Sequence, residues 1–243
     1  IQSHGKNILT DPIWAKRCSP SQWAGPKRFA PPGVAFDVLP PIDAILLSHD
    51  HYDHLCLPTL KRLARLGNPI VFTGKGVART VKKSGLTNVV ELDWWETHDW
   101  SDGWIVHGCP AQHFSGRTAF DRNKTLWMSL WLQSPSRSVY FAGDTGMGPH
   151  FEQIVARYGS PDVSLLPIGA YTPEWFMSPV HMSPEEALHA HDLLQTQQSI
   201  ATHFGTFALA MDEQDGPQEW IETHKEQRAF HVLKHGAHWA YPK

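Results

Sequence analysis

The chain has 243 residues, with 21 Lys and Arg against 24 Asp and Glu, so its formal net charge is only −3. Charged residues make up 19% of the chain, below the roughly 25% of an average globular domain. This balance gives no broad basic surface for nucleic acid. The longest uninterrupted aliphatic run covers residues 44–47, far short of the roughly 20 residues of a membrane-spanning helix. We therefore expect a folded domain that binds no nucleic acid. The chain also holds 16 histidines, an unusual number.

Short apolar runs and helix-end signals predict strands with helices inserted between them. Residues 44–48, four apolar residues followed by Ser48, form a short run that is typical of a buried strand. The segment after it has apolar residues at helical spacing, with Pro58 in its first turn and Gly67 just past its end. Ser183 to Glu186 form a capping box with proline at the first helical position, opening a helix to about residue 194.

The remaining predicted elements follow from similar signals. The predicted strands are 7–10, 69–73, 89–92, 104–107, 126–132, 138–142, 163–167 and 199–203, and the helices are 77–83, 150–158 and 218–228. Residues 14–41 hold six prolines and predict a long ordered loop. No linker-like run divides the chain, so we expect residues 1–243 to form a single domain. The mixed order predicts layered sheets with helices outside.

Three cysteines, Cys18, Cys56 and Cys109, are too few and too scattered for a disulfide framework. We expect them to be buried or half-buried free thiols. A reduced state suits a cytosolic protein without excluding a periplasmic one.

A dense group of histidines and aspartates follows the buried strand at 44–48. In an extended backbone His49 and His51 lie on one face, and a turn after them would bring Asp53 and His54 to a neighbouring point. Imidazole nitrogens and carboxylate oxygens suit Zn, Fe or Mn, and two adjacent pairs suit two metals better than one. The alternative, a polar loop that holds several histidines by chance, is disfavoured by this density.

Three later side chains could complete such a site, because each follows a predicted strand. They are His113, Asp144 and His203. The ends of strands are the usual place for a functional side chain on a rigid scaffold. Each of them taken singly is compatible with a structural role, but together with residues 49–54 they make a coherent ligand set.

The pattern His49-x-His51-x-Asp53-His54, followed by a distant His, a Gly-Asp and a last His, resembles the metallo-β-lactamase superfamily. Within it, the chain is similar to the N-acylphosphatidylethanolamine-hydrolysing phospholipase D family over nearly its whole length. The matching segments are 9–13, 19–22, 25–29, 39–44, 91–95, 141–146, 167–171, 203–207 and 232–236. The resemblance implies an α/β fold, a four-layer αββα sandwich. Family members carry a further strand upstream of the segment matching residues 8–12, so we expect N-terminal strands to be missing from this chain.

The resemblance also implies a role for individual residues. It puts His49, His51 and His113 on one zinc ion, with the remaining ligands on a second zinc: Asp53, His54 and His203, with Asp144 bridging the two. It further implies that His181 lies near the substrate phosphate, and that Arg117 is a basic residue beside the ligand loop. Asp50, within the motif, is expected either to hydrogen-bond a ligand imidazole or to be solvated.

The activity that the resemblance implies is hydrolysis of N-acylphosphatidylethanolamine-like lipids to phosphatidic acid and N-acylethanolamine. Two zinc ions sharing a water would supply hydroxide at neutral pH, and Asp53, Asp144 and His181 would be the catalytic residues. Most tryptophans are expected in the core, whereas Tyr171, Trp175 and Phe176 are candidates for the wall of an acyl-chain groove. The expected location is cytoplasmic or peripheral to a membrane.

Two alternatives stay open at this point. One keeps the metal site and changes the substrate to a lactone, a cyclic phosphate or a β-lactam, since one ligand set serves all these chemistries. The other is a non-enzyme, a metal-binding or envelope-structure protein with a vestigial site, which a complete ligand set disfavours. The sequence does not give the oligomeric state.

Overall fold

Two β-sheets form the inner layers of the structure, a computed structural model that describes residues 1–101 and 103–242. The strands of the first sheet, which lie side by side in chain order, are β1 Gln2–Ser3, β2 Lys6–Thr10, β3 Ala44–Leu46, β4 Ile70–Gly74 and β5 Val89–Leu92. The strands of the second sheet are β6 Thr97–Ser101, β7 Trp104–Cys109, β8 Ser129–Gln133, β9 Ser138–Phe141, β10 Val163–Pro167, β11 Gln198–Thr202 and β12 Phe230–His231. They are also neighbours in chain order, from β6 to β12.

Helices lie on the outer faces of both sheets. Their bounds are α1 Leu57–Leu66, α2 Ala78–Val81, α3 His150–Tyr158, α4 Glu174–Met177, α5 Pro184–Leu194 and α6 Gly216–His224. The capping box of α5 is present, with the Ser183 side chain accepting from the Glu186 backbone N–H. Among the described residues, no helix has both the length and the apolar character needed to cross a bilayer.

Strand directions bring several strand ends to one edge of the second sheet. Strands β9 to β12 pair in parallel, whereas β6 to β9 pair antiparallel. Because β7 and β9 both run opposite to β8, they point the same way as β10 and β11. The carboxyl ends of these four strands therefore share one edge, where side chains of the following loops converge.

Three apolar clusters hold the layers together. Within β3, Ala44 and Leu46 pack between the two sheets, whereas Ile45 packs against the first sheet's helices with Leu60 and Leu63 of α1. The second sheet packs on α3, α5 and α6 through a third cluster that includes Ile154. Fully burying one such side chain contributes about 1.5–3 kcal/mol, so these clusters fix the layer order. The expected four-layer αββα sandwich is confirmed.

Most predicted elements are present. The differences are the bounds of some elements and four short elements that were not predicted. The strand predicted at 126–132 begins only at Ser129, and the helix predicted at 218–228 runs from Gly216 to His224. The elements β1, β6, α4 and β12 were not predicted; two are only two residues long, and β6 reads Thr-His-Asp-Trp-Ser with little apolar character. The three cysteines are buried and free, as expected.

Candidate metal centre

The loop after β3 carries the histidine and aspartate cluster into the interior. Leu47 and Leu55 at its two ends are fully buried, so the loop is fixed at both sides. The backbone N–H groups of His54 and Leu55 both donate to the carbonyl of His51, at 3.2 and 2.8 Å. This turn folds the second half of the loop back towards the first, as the sequence predicts.

The first group of ring nitrogens comes from His49, His51 and His113. Nδ1 of His51 lies 2.8 Å from Nε2 of His49 and 3.2 Å from Nε2 of His113. Zinc–nitrogen bonds of about 2.0–2.1 Å in a tetrahedral site separate two ligand nitrogens by about 3.3 Å. The three nitrogens therefore stand close to the spacing that one zinc ion requires.

The second group comes from Asp53, His54, Asp144 and His203. Nε2 of His54 lies 3.1 Å from Oδ2 of Asp53 and 3.1 Å from Oδ2 of Asp144. Nε2 of His203 lies 3.3 Å from Oδ2 of Asp53 and 3.3 Å from Oδ1 of Asp144. Two nitrogens and two carboxylates thus surround a second point.

Asp144 lies between the two groups. Its Oδ2 atom is also 3.8 Å from Nε2 of His113 and 4.0 Å from Nε2 of His49. One carboxylate therefore faces nitrogens of both groups, which is the position of a bridging ligand. The structure brings together all seven residues that the sequence nominates as ligands.

Several atoms in this cluster and beside it are buried without a hydrogen-bond partner among the described residues, including Nε2 of His54, Oδ1 of Asp144 and Nδ1 of the neighbouring His181. A buried polar atom without a partner costs about 1–3 kcal/mol. Buried nitrogen and carboxylate oxygen atoms that converge, some of them without a hydrogen-bond partner, are the environment that a divalent cation satisfies. The donor set suits zinc, iron or manganese, so these residues fit a metal pair.

Burial sets the protonation state of the first group. Desolvation, reinforced by the neighbouring imidazoles of His54 and His51, holds the pKa of His49 well below its ordinary value. Burial likewise lowers the pKa of His113 to about 3, although the nearby Asp144 acts in the opposite direction. Both rings are neutral at pH 7, which is the form that binds a metal.

Opposite charges set the state of the second group. Burial opposes ionisation of Asp144, but the imidazoles of His203 and His54 outweigh it and hold the pKa of Asp144 well below its ordinary value. Burial also opposes a charge on His54, yet the carboxylates of Asp144 and Asp53 outweigh it and raise the pKa of His54 well above its ordinary value. The ionised carboxylates are thus stabilised by a nearby positive charge, which a proton or a metal cation can supply.

Asp11 supports the second group and was not nominated from the sequence. Its carboxylate accepts from the backbone N–H of Ser48 at 2.8 Å, from the Ser48 hydroxyl, and from Nδ1 of His54. The Asp-Pro pair at 11–12 signalled only a turn, although the segment 9–13 is among those that resemble the family. A comparable bond joins Nδ1 of His113 to the carbonyl of Val180 at 2.8 Å.

Asp50 and Arg117 tie the ligand loop to residues 115–125. Asp50 is buried and accepts from the backbone N–H of Gly116 and from the hydroxyl of Thr125, both at 2.9 Å. It is therefore neither solvated nor bonded to a ligand imidazole. The guanidinium of Arg117 donates to the carbonyls of Asp50 and Leu55, at 2.5 and 3.0 Å, and stacks on the Tyr52 ring at 3.9 Å.

The other side chains nominated for substrate are His181, Tyr171 and Trp175. Nδ1 of His181 is 3.9 Å from Oδ2 of Asp144. Tyr171 lines a cavity of about 210 Å³ together with His181. Trp175 on α4 does not line this cavity; it is 80% exposed, next to the 64% exposed Phe176.

A second cavity, of about 200 Å³, adjoins the second ligand group. Its polar wall includes Asp53, His54, Asp144 and His203. Its apolar wall includes Ile13, Phe29, Phe141, Phe204, Phe207 and Leu209. The cluster therefore faces a space with apolar walls, as in binding sites for small organic ligands.

Residues 6–204 match the family model described as Beta-lactamase superfamily domain. The chain belongs to this superfamily, and its metallo-β-lactamase fold is that of metal-dependent hydrolases. Among its relatives, an uncharacterized protein of Mycobacterium tuberculosis is 41% identical over 227 residues, which are 91% of this chain and 58% of that protein. The N-acyl-phosphatidylethanolamine-hydrolyzing phospholipase D 1 of Caenorhabditis elegans is 37% identical over 224 residues, 88% of this chain and 63% of the worm protein.

Solved structures share the fold at lower identity. The crystal structure of isothiocyanate hydrolase from Delia radicum gut bacteria superposes with a TM-score of 0.76 at 20% identity, covering 99% of this chain and 95% of that one. The resemblance to the superfamily is confirmed. The chain spans about three fifths of the length of the two relatives above.

Proposed function

We propose that the protein is a metal-dependent phosphodiesterase of the phospholipase D type. In this proposal it hydrolyses N-acylphosphatidylethanolamine-like lipids to phosphatidic acid and N-acylethanolamine, using two zinc ions, for which iron or manganese could substitute. The name of the worm relative supports this substrate class. The observation that carries the proposal is the cavity that ligand residues and apolar side chains line together.

The seven clustered side chains would hold the metal pair. His49, His51 and His113 would bind one ion, and the second ion would be bound by the other group: Asp53, His54 and His203, with Asp144 shared. When bound, such a pair supplies Lewis-acid stabilisation of charge on the phosphate and lowers the pKa of water near it. Overall, water adds to phosphorus, the bond from phosphorus to the ethanolamine oxygen breaks, and that oxygen leaves protonated.

His181 is the proposed side chain for orienting the phosphate. Burial lowers the pKa of His181 to about 4, so at pH 7 the free ring is neutral and carries one N–H donor. Its Nδ1 has no hydrogen-bond partner among the described residues and lies 3.9 Å from Oδ2 of Asp144. We assign it a hydrogen bond to a non-bridging oxygen of the phosphate. An anionic phosphate beside it would raise its pKa and let it pass a proton to the leaving oxygen.

Apolar and aromatic side chains would receive the lipid. Phe141, Phe204 and Leu209 offer apolar surface within the cavity that adjoins the ligands. Trp175 and Phe176 are exposed neighbours with ring centroids 5.6 Å apart, a few residues beyond Tyr171. Exposed tryptophan and phenylalanine favour the membrane–water interface. We therefore propose a peripheral contact between α4 and the lipid surface that presents the substrate.

The test is a substrate panel with purified, zinc-loaded protein. N-acylphosphatidylethanolamine in mixed micelles, a lactone, a cyclic phosphate and a β-lactam are each supplied, and products are identified by mass spectrometry. We expect phosphatidic acid and N-acylethanolamine from the phospholipid, and neither from the Asp144→Asn variant. Turnover of another substrate without turnover of the phospholipid would replace this proposal with the alternative hydrolase.

Membrane contact is tested separately by sedimentation with phosphatidylcholine vesicles. A double variant, Trp175→Ser with Phe176→Ser, should bind vesicles several-fold more weakly than the unaltered protein. Trp23→Ser is the matched control, because Trp23 is also highly exposed but lies in the loop at 14–41. An equal loss in both variants would argue against a specific role for α4.

A further inference from the structure

Residues 204–214, the roof segment, cover the cavity beside the second ligand group. Phe204, Phe207 and Leu209 of this segment line the cavity together with Asp53 and Asp144. The segment follows His203 directly and leads into α6, which begins at Gly216. Its contacts with the rest of the chain therefore decide whether the cavity keeps its shape.

The first half of the roof segment is held by the long loop at 14–41. The backbone N–H of Phe29 donates to the carbonyl of Thr206 at 3.0 Å. The guanidinium of Arg28 stacks on the Phe207 ring at 4.9 Å. This anchor leaves the second half of the segment to be fixed elsewhere.

Asp212 supplies the second anchor. Its carboxylate accepts from three consecutive backbone N–H groups, those of Ala170, Tyr171 and Thr172, with the Tyr171 and Thr172 bonds at 3.1 and 2.7 Å. The N–H of Met211 adds a bond to the Thr172 carbonyl at 3.0 Å. Hydrogen bonds to an ionised carboxylate are about twice as strong as neutral ones, and three on one carboxylate form a firm attachment.

The segment at 169–172, in which the backbone N–H groups of residues 170–172 donate to Asp212, also packs against His203. A Cβ on Gly169 would meet the carbonyl oxygen of His203 at 2.3 Å, so the two backbones touch. Ala170 has φ 64° and His203 has φ 56°, left-handed conformations that residues other than glycine adopt only when their surroundings hold them. Contacts therefore lead from His203 along the roof segment to Asp212. The Asp212 carboxylate binds the backbone of residues 170–172, and the adjoining Gly169 packs against His203.

We propose that Asp212 is a positioning residue that latches the roof segment over the cavity and, through residues 169–172, holds His203 in place on the second ligand group. The attachment of the roof segment by Asp212 does not depend on the proposed function. Its consequence for metal binding rests on the proposed function.

The test compares Asp212→Asn with the unaltered protein by hydrogen exchange in the metal-free state. An amide in place of the carboxylate directs an NH₂ group at backbone donors, so we expect faster exchange at 169–172 and 203–214, with the sheets unchanged. Asp215→Asn is the matched control, because that exposed carboxylate bonds only to Gln218 among the described residues. It should exchange like the unaltered protein. Wild-type protection in Asp212→Asn would overturn the latch.

Zinc titration against a chromophoric chelator provides the second measurement. Loss of a group that orients a metal ligand typically costs 10–100-fold in metal affinity. We expect one of the two zinc affinities, that of the second ligand group, to fall by about 10–100-fold in Asp212→Asn, with Asp215→Asn unaffected. Two unchanged affinities would overturn the link to His203.

Failure of the proposed function and misfolding of the variant can each be told apart from failure of the latch. If the unaltered protein binds no zinc, the proposed function fails while hydrogen exchange still decides the latch. If Asp212→Asn does not fold, Asp212→Glu decides, because it keeps the charge and shifts the carboxylate by one methylene. In Asp212→Glu, faster hydrogen exchange confined to residues 169–172 and 203–214 supports the latch. A change in exchange that is equal throughout the chain overturns it.

Discussion

Asp11 and His54 are joined by a hydrogen bond between the Asp11 carboxylate and Nδ1 of the ring. Because a carboxylate oxygen accepts, Nδ1 donates in this bond, and Nε2 lies 3.1 Å from Oδ2 of both Asp53 and Asp144. The same carboxylate accepts from the backbone of Ser48. One side chain at the end of β2 therefore sets both the start of the ligand loop and the orientation of its last ligand.

Asp11→Asn should weaken zinc binding about 10–100-fold. The amide retains only one acceptor oxygen, so either Ser48 or His54 loses its partner. Zinc affinity is measured by competition with a chelator. Asp43→Asn serves as the control, because Asp43 accepts from the Asn7 backbone at 2.8 Å near the other end of the same strands. Equal zinc affinities in both variants would contradict this role.

His49→Ala and Asp144→Asn should each lose metal content and turnover together. The first removes a nitrogen from the first group, and the second weakens the carboxylate that faces both groups. Metal content is determined by elemental analysis alongside the activity assay. His189→Ala, on the exposed side of α5, should keep both. Full activity in a metal-depleted protein that carries both substitutions would refute the ligand assignment.

Arg117→Lys distinguishes a structural from a substrate-binding role. If the guanidinium mainly joins the carbonyls of Asp50 and Leu55, lysine should lower the free energy of unfolding by roughly 1–3 kcal/mol. Chemical denaturation measures this change. Arg122→Lys is the control, because Arg122 also stacks on a ring, that of Phe114 at 4.2 Å, but has no side-chain hydrogen bond among the described residues. A raised KM with unchanged stability would instead assign Arg117 to the substrate.

The stability of the metal-free protein should fall as the pH drops from 7 to 5, in part through His150. Burial lowers the pKa of His150 to about 4 in the folded state, whereas an unfolded histidine titrates near 6.5. Between these values the unfolded chain binds more protons, so His150 contributes roughly 2 kcal/mol of lost stability over this range. Denaturation at both pH values should show a smaller loss in His150→Leu. Equal losses would contradict the assignment.

The metal cluster was predictable where its signal is local. A buried strand followed by His49-x-His51-x-Asp53-His54 predicts convergence from alternation and a turn, and the distances agree with it. His113, Asp144 and His203 could be nominated because each follows a strand. Their meeting depends on strand order, which the resemblance supplied and local pattern does not.

Long-range partners account for what sequence reasoning missed. Asp11 was only a turn signal, because its bond to His54 spans 43 residues. Asp212 had no signal, since its role depends on three N–H groups about 40 residues away. The short edge strands β1 and β12 take their conformation from their neighbours. The single-domain organisation and the upstream strands stay predictions.

The two sheets contribute differently to the cluster: His49 to His54 follow a strand of the first sheet, whereas His113, Asp144 and His203 follow strands of the second. Any ion bound by ligands of both sheets would link the first sheet to the second. Its release and the separation of the sheets would then be thermodynamically coupled, so that metal protects the entire sandwich from opening and chelation lowers the melting temperature of both halves at once.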